Sequence, residues 1–193
     1  MNFIFDIGNV LVDFKPDLFL HSMLGDPGLE AKMLTLIFKC PQWKQLDAGT
    51  ITSREATDVF CQKEPEHKAV IKKIMTDLPQ MLTPMTRTAK ILPKIKGKGH
   101  KLYYISNYHE DLSRYILQKY DFFNLFDGGV FSWQVQLLKP GPEIFLCFLE
   151  KYRLKARDCV FFDDMEENVE TAQKLGINGV VFRDARDVKN FLE

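Results

Sequence analysis

Phe3-Ile4-Phe5-Asp6-Ile7-Gly8-Asn9-Val10 is the stretch that decides how this chain is read. Its apolar, aromatic and β-branched residues predict a buried strand over 3–7, and that strand carries one carboxylate, Asp6, to its end before the Gly8-Asn9 turn. Runs of the same character at 102–106, 159–163 and 179–183, with 129–133 as a fifth, predict further strands. Helical periodicity fills 109–120, 143–152 and 166–175 between the later ones, and Gly176 closes the last helix. Strands alternating with helices of this length predict an α/β fold with a doubly wound parallel sheet. Its functional residues belong at the carboxyl ends of the strands, where Asp6, Ser106 and Asp163 fall.

The stretch 15–85 breaks the alternation. It is rich in helix formers, is punctuated by Gly25-Asp26-Pro27-Gly28 and Ala48-Gly49-Thr50, and reads as a helical insertion. Thr52 or Ser53 followed by Glu55 predicts a capped amphipathic helix, and Val70, Ile71, Ile74 and Met75 form a second apolar stripe. The 193 residues suffice for one substantial core plus a small inserted unit. Lys and Arg number 26 and so do Asp and Glu, so no net charge draws the chain to nucleic acid or to an anionic membrane. No apolar run is long enough to span a bilayer, and Met1-Asn2-Phe3-Ile4-Phe5 lacks a basic leader, so a cytoplasmic protein is expected. The four cysteines have no C-x-x-C spacing and read as free thiols.

Four pieces carry chemistry, each following a strand or opening a helix. Asp6 offers a nucleophile or a ligand. Ser106-Asn107 put a hydroxyl, an amide and backbone N–H groups at a helix start, a geometry suited to phosphate. Lys139-Pro140-Gly141-Pro142 restrain the backbone beside a point charge. Asp163-Asp164, followed by Glu166, Glu167 and Asn168, supply oxygen ligands suited to magnesium, and the adjacent acids need a cation or donors to stay ionised. Singly, each has an ordinary structural reading as a turn residue, a cap or a solvated charge. Their order and placement together favour a site.

Phe5-Asp6-Ile7-Gly8-Asn9-Val10, Ser106-Asn107, Lys139-Pro140 and Phe162-Asp163-Asp164 resemble the four ordered motifs of the haloacid dehalogenase-like superfamily. The resemblance covers nearly the whole chain. The Asp-x-Gly-Asn-Val opening is similar to bacterial sugar-phosphate phosphatases of the α-D-glucose-1-phosphate phosphatase type. It implies a Rossmann-like core of residues 1–14 and 86–193 with a helical cap at 15–85. It also implies a Mg²⁺-dependent phosphatase that forms an aspartyl-phosphate on Asp6. Mg²⁺ would be held by Asp6, the Gly8 carbonyl and Asp164, with Asp163 either binding directly or positioning Lys139 or a metal-bound water, and Asn168 behind them. Ser106 and Asn107 would hold phosphoryl oxygens while Lys139 offsets charge.

Gly8 departs from the pattern, because many such phosphatases place there a second Asp that acts as general acid and base. Asn9 cannot substitute, since an amide does not titrate usefully. Asp13, His21 and His109 are conceivable replacements, each with a plainer role as a solvated or capping residue. A missing acid favours a good leaving group, which points to a hexose 1-phosphate and equally admits acyl or aryl phosphates. The expected partner is a small phosphorylated metabolite, bound by a monomer or homodimer. Trp43, Gln42 and Tyr108 are candidate contacts, with Trp43 also readable as cap core. The alternatives are a haloalkanoate dehalogenase, a phosphomutase, or a catalytically weak phosphate binder.

Overall fold

The computed structural model describes residues 1–192. Strands β1 (Asn2–Phe5), β2 (Lys101–Ser106), β3 (Gly128–Phe131), β4 (Cys159–Asp163) and β5 (Asn178–Val181) form one sheet in the order β3-β2-β1-β4-β5. Every pair is parallel. A parallel sheet must be covered on both faces, which explains why its strands read as continuous apolar runs. Phe3, Phe5, Leu102, Val160 and Phe162 enter one apolar cluster, and Ile4, Tyr103, Ile105 and Phe161 enter the other. Successive residues thus face opposite sides, as the pleat requires. Phe3, Phe5, Phe161 and Phe162 are fully buried, each contributing about 1.5–3 kcal/mol.

Five inserted helices lie between β1 and β2: α1 (Pro16–Leu24), α2 (Pro27–Met33), α3 (Pro41–Asp47), α4 (Ser53–Lys63) and α5 (Lys68–Asp77). Thr52 is the N-cap of α4, accepting from the Glu55 N–H while Glu55 accepts from the Thr52 N–H at 2.8 Å. Ile71 and Ile74 bury the stripe of α5. After the insertion come α6 (Thr86–Ala89) and α7 (Leu92–Gly97), then α8 (Glu110–Lys119), α9 (Ser132–Val135), α10 (Pro142–Tyr152), α11 (Glu166–Lys174) and α12 (Ala185–Lys189). Ile144, Phe145 and Phe148 of α10 cover one sheet face. Leu112 and Ile116 of α8, together with the inserted helices, join the cluster on the other.

The structure trims the sequence reading at strand ends. β1 stops at Phe5 rather than at Ile7, because the Ile7 carbonyl accepts from Val10, Leu11 and Val12 and rolls the chain into a tight loop. Asn9 sits in that loop at φ 53°, a left-handed conformation that Asn tolerates. β3 ends at Phe131, and the predicted continuation to Trp133 is instead the start of α9. β5 begins at Asn178 and ends at Val181, before Phe182 and Arg183. All four cysteines are free. No helix among the described residues is long and apolar enough to cross a membrane.

Candidate active site

Register alone brings the two principal carboxylates together. Phe5 pairs with Phe162, and Asp6 N–H donates to the Phe162 carbonyl at 2.8 Å, so Asp6 and Asp163 are neighbours at the carboxyl ends of β1 and β4. β1 lies between β2 and β4, where the strand order switches direction and ligands enter α/β sheets. Ser106, the last residue of β2, stands on the other side of Asp6 and donates its hydroxyl to Asp6 Oδ1 at 2.6 Å.

Lys139, only 5% exposed, reaches into this row from the loop before α10. Its ammonium lies 2.8 Å from Asp6 Oδ1 and 2.6 Å from Asp163 Oδ2. Burial alone would lower its pKa, but the two carboxylates outweigh it and keep the lysine charged. Asp163 is fully buried. It accepts from the Asn168 amide at 3.0 Å on both oxygens and from the Met165 N–H at 2.8 Å. Asp164 accepts from the Asn9 amide at 3.2 Å, and Asn9 in turn accepts from the Phe14 N–H. The Asn107 side chain exchanges two 2.9 Å bonds with the Lys139 backbone, holding the lysine loop against β2. One amide N–H and the side-chain oxygen are thus committed to the lysine loop, which leaves the second amide N–H and the backbone N–H of Asn107 for a ligand.

Ligand atoms of Asp6, Asp163 and Asp164 all lie within 4.8 Å of one another. Burial, with Asp163 adding to it, raises Asp6 to about 6 despite Lys139 and Ser106. Burial also raises Asp164. Three carboxylates face one ammonium, a set of hard oxygen donors with uncompensated charge that fits a divalent cation such as Mg²⁺.

Above this floor lies a cavity of about 230 Å³ lined by Asp6, Ser106 and Lys139 below and by Phe14, Trp43 and Tyr108 at its walls. Gly8, Asn107, Asp164 and Asn168 also line it. Asp163 does not, being buried beneath. Trp43 comes from α3, packs on Phe38 at 4.8 Å and meets His109 edge-on at 5.4 Å, so it belongs both to the core and to the cavity wall. Gln42 is absent from the lining, and its carbonyl accepts from Lys63.

The conceivable acids separate clearly. Asp13 is paired with Lys15 and Thr83, and His21 with Glu30, both away from the cavity. His109 lines it, yet is neither solvated nor a side-chain cap. It is buried with both ring nitrogens unpartnered, and burial lowers its pKa to about 4, leaving it neutral at pH 7. The Tyr108 hydroxyl is likewise buried without a partner, and burial, with Asp6 and Asp47 adding to it, raises its pKa. Sequence reasoning missed Asp47, the last residue of α3, which lines the cavity from the inserted helices. Burial, reinforced by Asp6, pushes it up to about 7. Its one sequence signal, an acid ahead of the Ala48-Gly49 turn, is common to many helix ends.

Comparison with known proteins identifies the fold and the family. A sesquiterpene phosphatase of Aspergillus oryzae is 27% identical over 185 residues, covering 94% of this chain and 89% of that protein. A phosphorylated carbohydrates phosphatase of Thermotoga maritima is 28% identical, covering 98% and 89%. An enzyme of the same family from Bacteroides thetaiotaomicron, crystallised with magnesium and inorganic phosphate, superposes with a TM-score of 0.80 at 22% identity over 100% of this chain and 98% of that one. The profile of the haloacid dehalogenase-like hydrolases matches residues 3–182, and the chain belongs to that family.

Proposed function

We propose that the chain is a magnesium-dependent phosphatase that hydrolyses a small phosphomonoester through an aspartyl-phosphate on Asp6. The observation that carries this reading is the buried row of Ser106, Asp6, Lys139 and Asp163, with Asp164 completing a cluster of three acids around one ammonium. Asp6 and Asp164, with the Gly8 carbonyl, would hold Mg²⁺, and Asp163 would anchor Lys139 beneath or bind directly. The bound ion would supply positive charge beside the phosphoryl oxygens. The Asp6 carboxylate, oriented by Ser106, attacks phosphorus. Ser106 and the Asn107 backbone hold phosphoryl oxygens, and Lys139 offsets the charge that gathers there, the stabilisation phosphoryl transfer chiefly needs. Residues 15–85 act as a cap over the core of 1–14 and 86–193, excluding water from the phosphate.

Within this class a hexose 1-phosphate is the first substrate to try, because an anomeric hydroxyl leaves readily, and the carbohydrate phosphatase relative supports it. A second reading, the phosphate ester of an apolar alcohol, is favoured by the aromatic walls Phe14, Trp43 and Tyr108 and by the sesquiterpene phosphatase relative. A haloalkanoate dehalogenase is disfavoured, since three clustered acids would repel a carboxylate substrate.

Phosphate release from an aryl phosphate, glucose 1-phosphate, glucose 6-phosphate and an isoprenyl phosphate, with Mg²⁺ or chelator, tests the proposal. Turnover is expected to need metal and to fall at least about 10⁴-fold in Asp6→Asn. Halide release unaffected by chelator would instead establish dehalogenation.

A further inference from the structure

We propose that Asp47, delivered by the inserted helix α3, is the proton donor to the leaving group, doing from the cap what Gly8 cannot do from the core. The assignment rests on the phosphatase reading above. Three geometrical observations support it.

First, Asp47 is the uncommitted acid of the cavity. Asp6 is held by Ser106 and Lys139, Asp164 by Asn9, and the buried Asp163 beneath by Lys139, Asn168 and the Met165 N–H. Among the described residues the Asp47 carboxylate lines the same space without a hydrogen bond or an ion pair of its own. Beside it Tyr108 and His109, from the loop after β2, line the space without a charge at pH 7, and the ionisable groups of the floor, Asp6, Asp164 and Lys139, line it from below.

Second, the backbone of Asp47 is tied to the core. The Ser132 hydroxyl donates to the Asp47 carbonyl at 2.5 Å and accepts from the Tyr108 N–H at 2.9 Å, joining α3 to the loop beside the nucleophile. Two residues on, Gly49 has φ +66°, and a Cβ there would meet the Trp133 carbonyl at 2.6 Å. The turn after α3 is thus pressed against α9, so close that no side chain fits, and Ser53 adds a hydrogen bond to Asp111 of α8. A residue meant merely to end a helix on the surface needs no such fastening.

Third, the apolar part of the surroundings suits an acid that can still carry its proton near neutral pH. Trp43, Tyr108, His109 and Leu112 line the same space without charge, the ionisable groups that share it being Asp6, Asp164 and Lys139 of the floor. The raised pKa of about 7 agrees with this, burial being its larger cause and Asp6 the smaller.

In the forward step an Asp6 oxygen forms a bond to phosphorus, the bridging P–O bond breaks, and its electron pair stays on the leaving oxygen, which takes the proton of Asp47. In the return step the ionised Asp47 takes a proton from the water whose oxygen bonds to phosphorus, the bond between phosphorus and the Asp6 oxygen breaks with its electron pair left on the Asp6 carboxylate, and phosphate is released with Asp47 protonated again. A donor in this position lifts the restriction to good leaving groups that Gly8 otherwise implies.

The test is kcat/KM for wild type and Asp47→Asn, with Mg²⁺, on a series of aryl phosphates of rising leaving-group pKa and on an alkyl phosphate. The loss in Asp47→Asn is expected to grow along the series, from within about threefold for a nitrophenyl ester to about 10²–10⁴-fold for the alkyl ester. Retained aryl turnover certifies that the variant is folded. An equal loss on every ester, or none on the alkyl ester, overturns the assignment while leaving the phosphatase reading intact. A wild type that releases phosphate from no ester overturns both.

Discussion

The floor and the wall of the cavity are built on opposite principles. On the floor, Asp6, Asp163 and Lys139 are buried and interlocked, with Ser106 donating to Asp6, Asn168 to Asp163 and Asn107 to the Lys139 backbone. On the wall, Asp47, Tyr108 and His109 reach the same space with side-chain polar atoms that make no hydrogen bond to another side chain. Satisfied charges on rigid strands hold a geometry in advance, as the transfer of a phosphoryl group demands. Unpartnered polar atoms carry a desolvation cost that a ligand can relieve.

Three substitutions would break or sharpen that contrast. Lys139→Ala strands two buried carboxylates and should cost about 3–5 kcal/mol, read by urea unfolding at neutral pH. An equally stable variant would mean that the floor acids neutralise by protonation and that the lysine does not organise them. Gly49→Ala leaves the floor untouched and forces the turn after α3 off Trp133, with backbone strain added, for about 1–3 kcal/mol by thermal unfolding. It should also lower turnover of an alkyl phosphate while sparing a nitrophenyl ester. If both esters suffer alike, wall and floor are not separable. The smallest effect is a recovery. A Cβ at Gly8 meets nothing nearer than Phe14 Cβ at 3.9 Å, so the first atom of an Asp side chain has room there. Added to Asp47→Asn, Gly8→Asp should restore alkyl-phosphate turnover by about tenfold, a gain of about 1.4 kcal/mol. No recovery would show that the floor tolerates an acid at Gly8 without being able to use it.

Much of the floor is legible from local sequence. Asp6, Ser106 and Asp163 each follow an apolar run at a strand's carboxyl end, and Lys139 lies just ahead of a helix opened by Pro142. The wall is not legible in this way. Trp43 reads as core because large apolar side chains usually are core, and here it is core and wall at once. His109 reads as a helix cap because it precedes Glu110. Yet its ring lies buried against Trp43, a contact made across 66 residues of chain that no local pattern encodes.

By itself the sequence determined the alternation of strands and helices, the parallel sheet, the order of the acidic, hydroxyl and lysine positions, and the presence of a helical insertion. These follow from periodicity and from residues acting within a few positions of one another, so a linear chain displays them. The tertiary structure decided how the charges are shared, because Lys139 meets Asp6 and Asp163 only when β1, β4 and the loop before α10 are folded together. It also decided that the Asn107 side chain serves the lysine loop. And it decided that Asp47, an unremarked helix-end acid, faces the cavity, because burial and facing are properties of packed elements and not of a residue's neighbours in sequence.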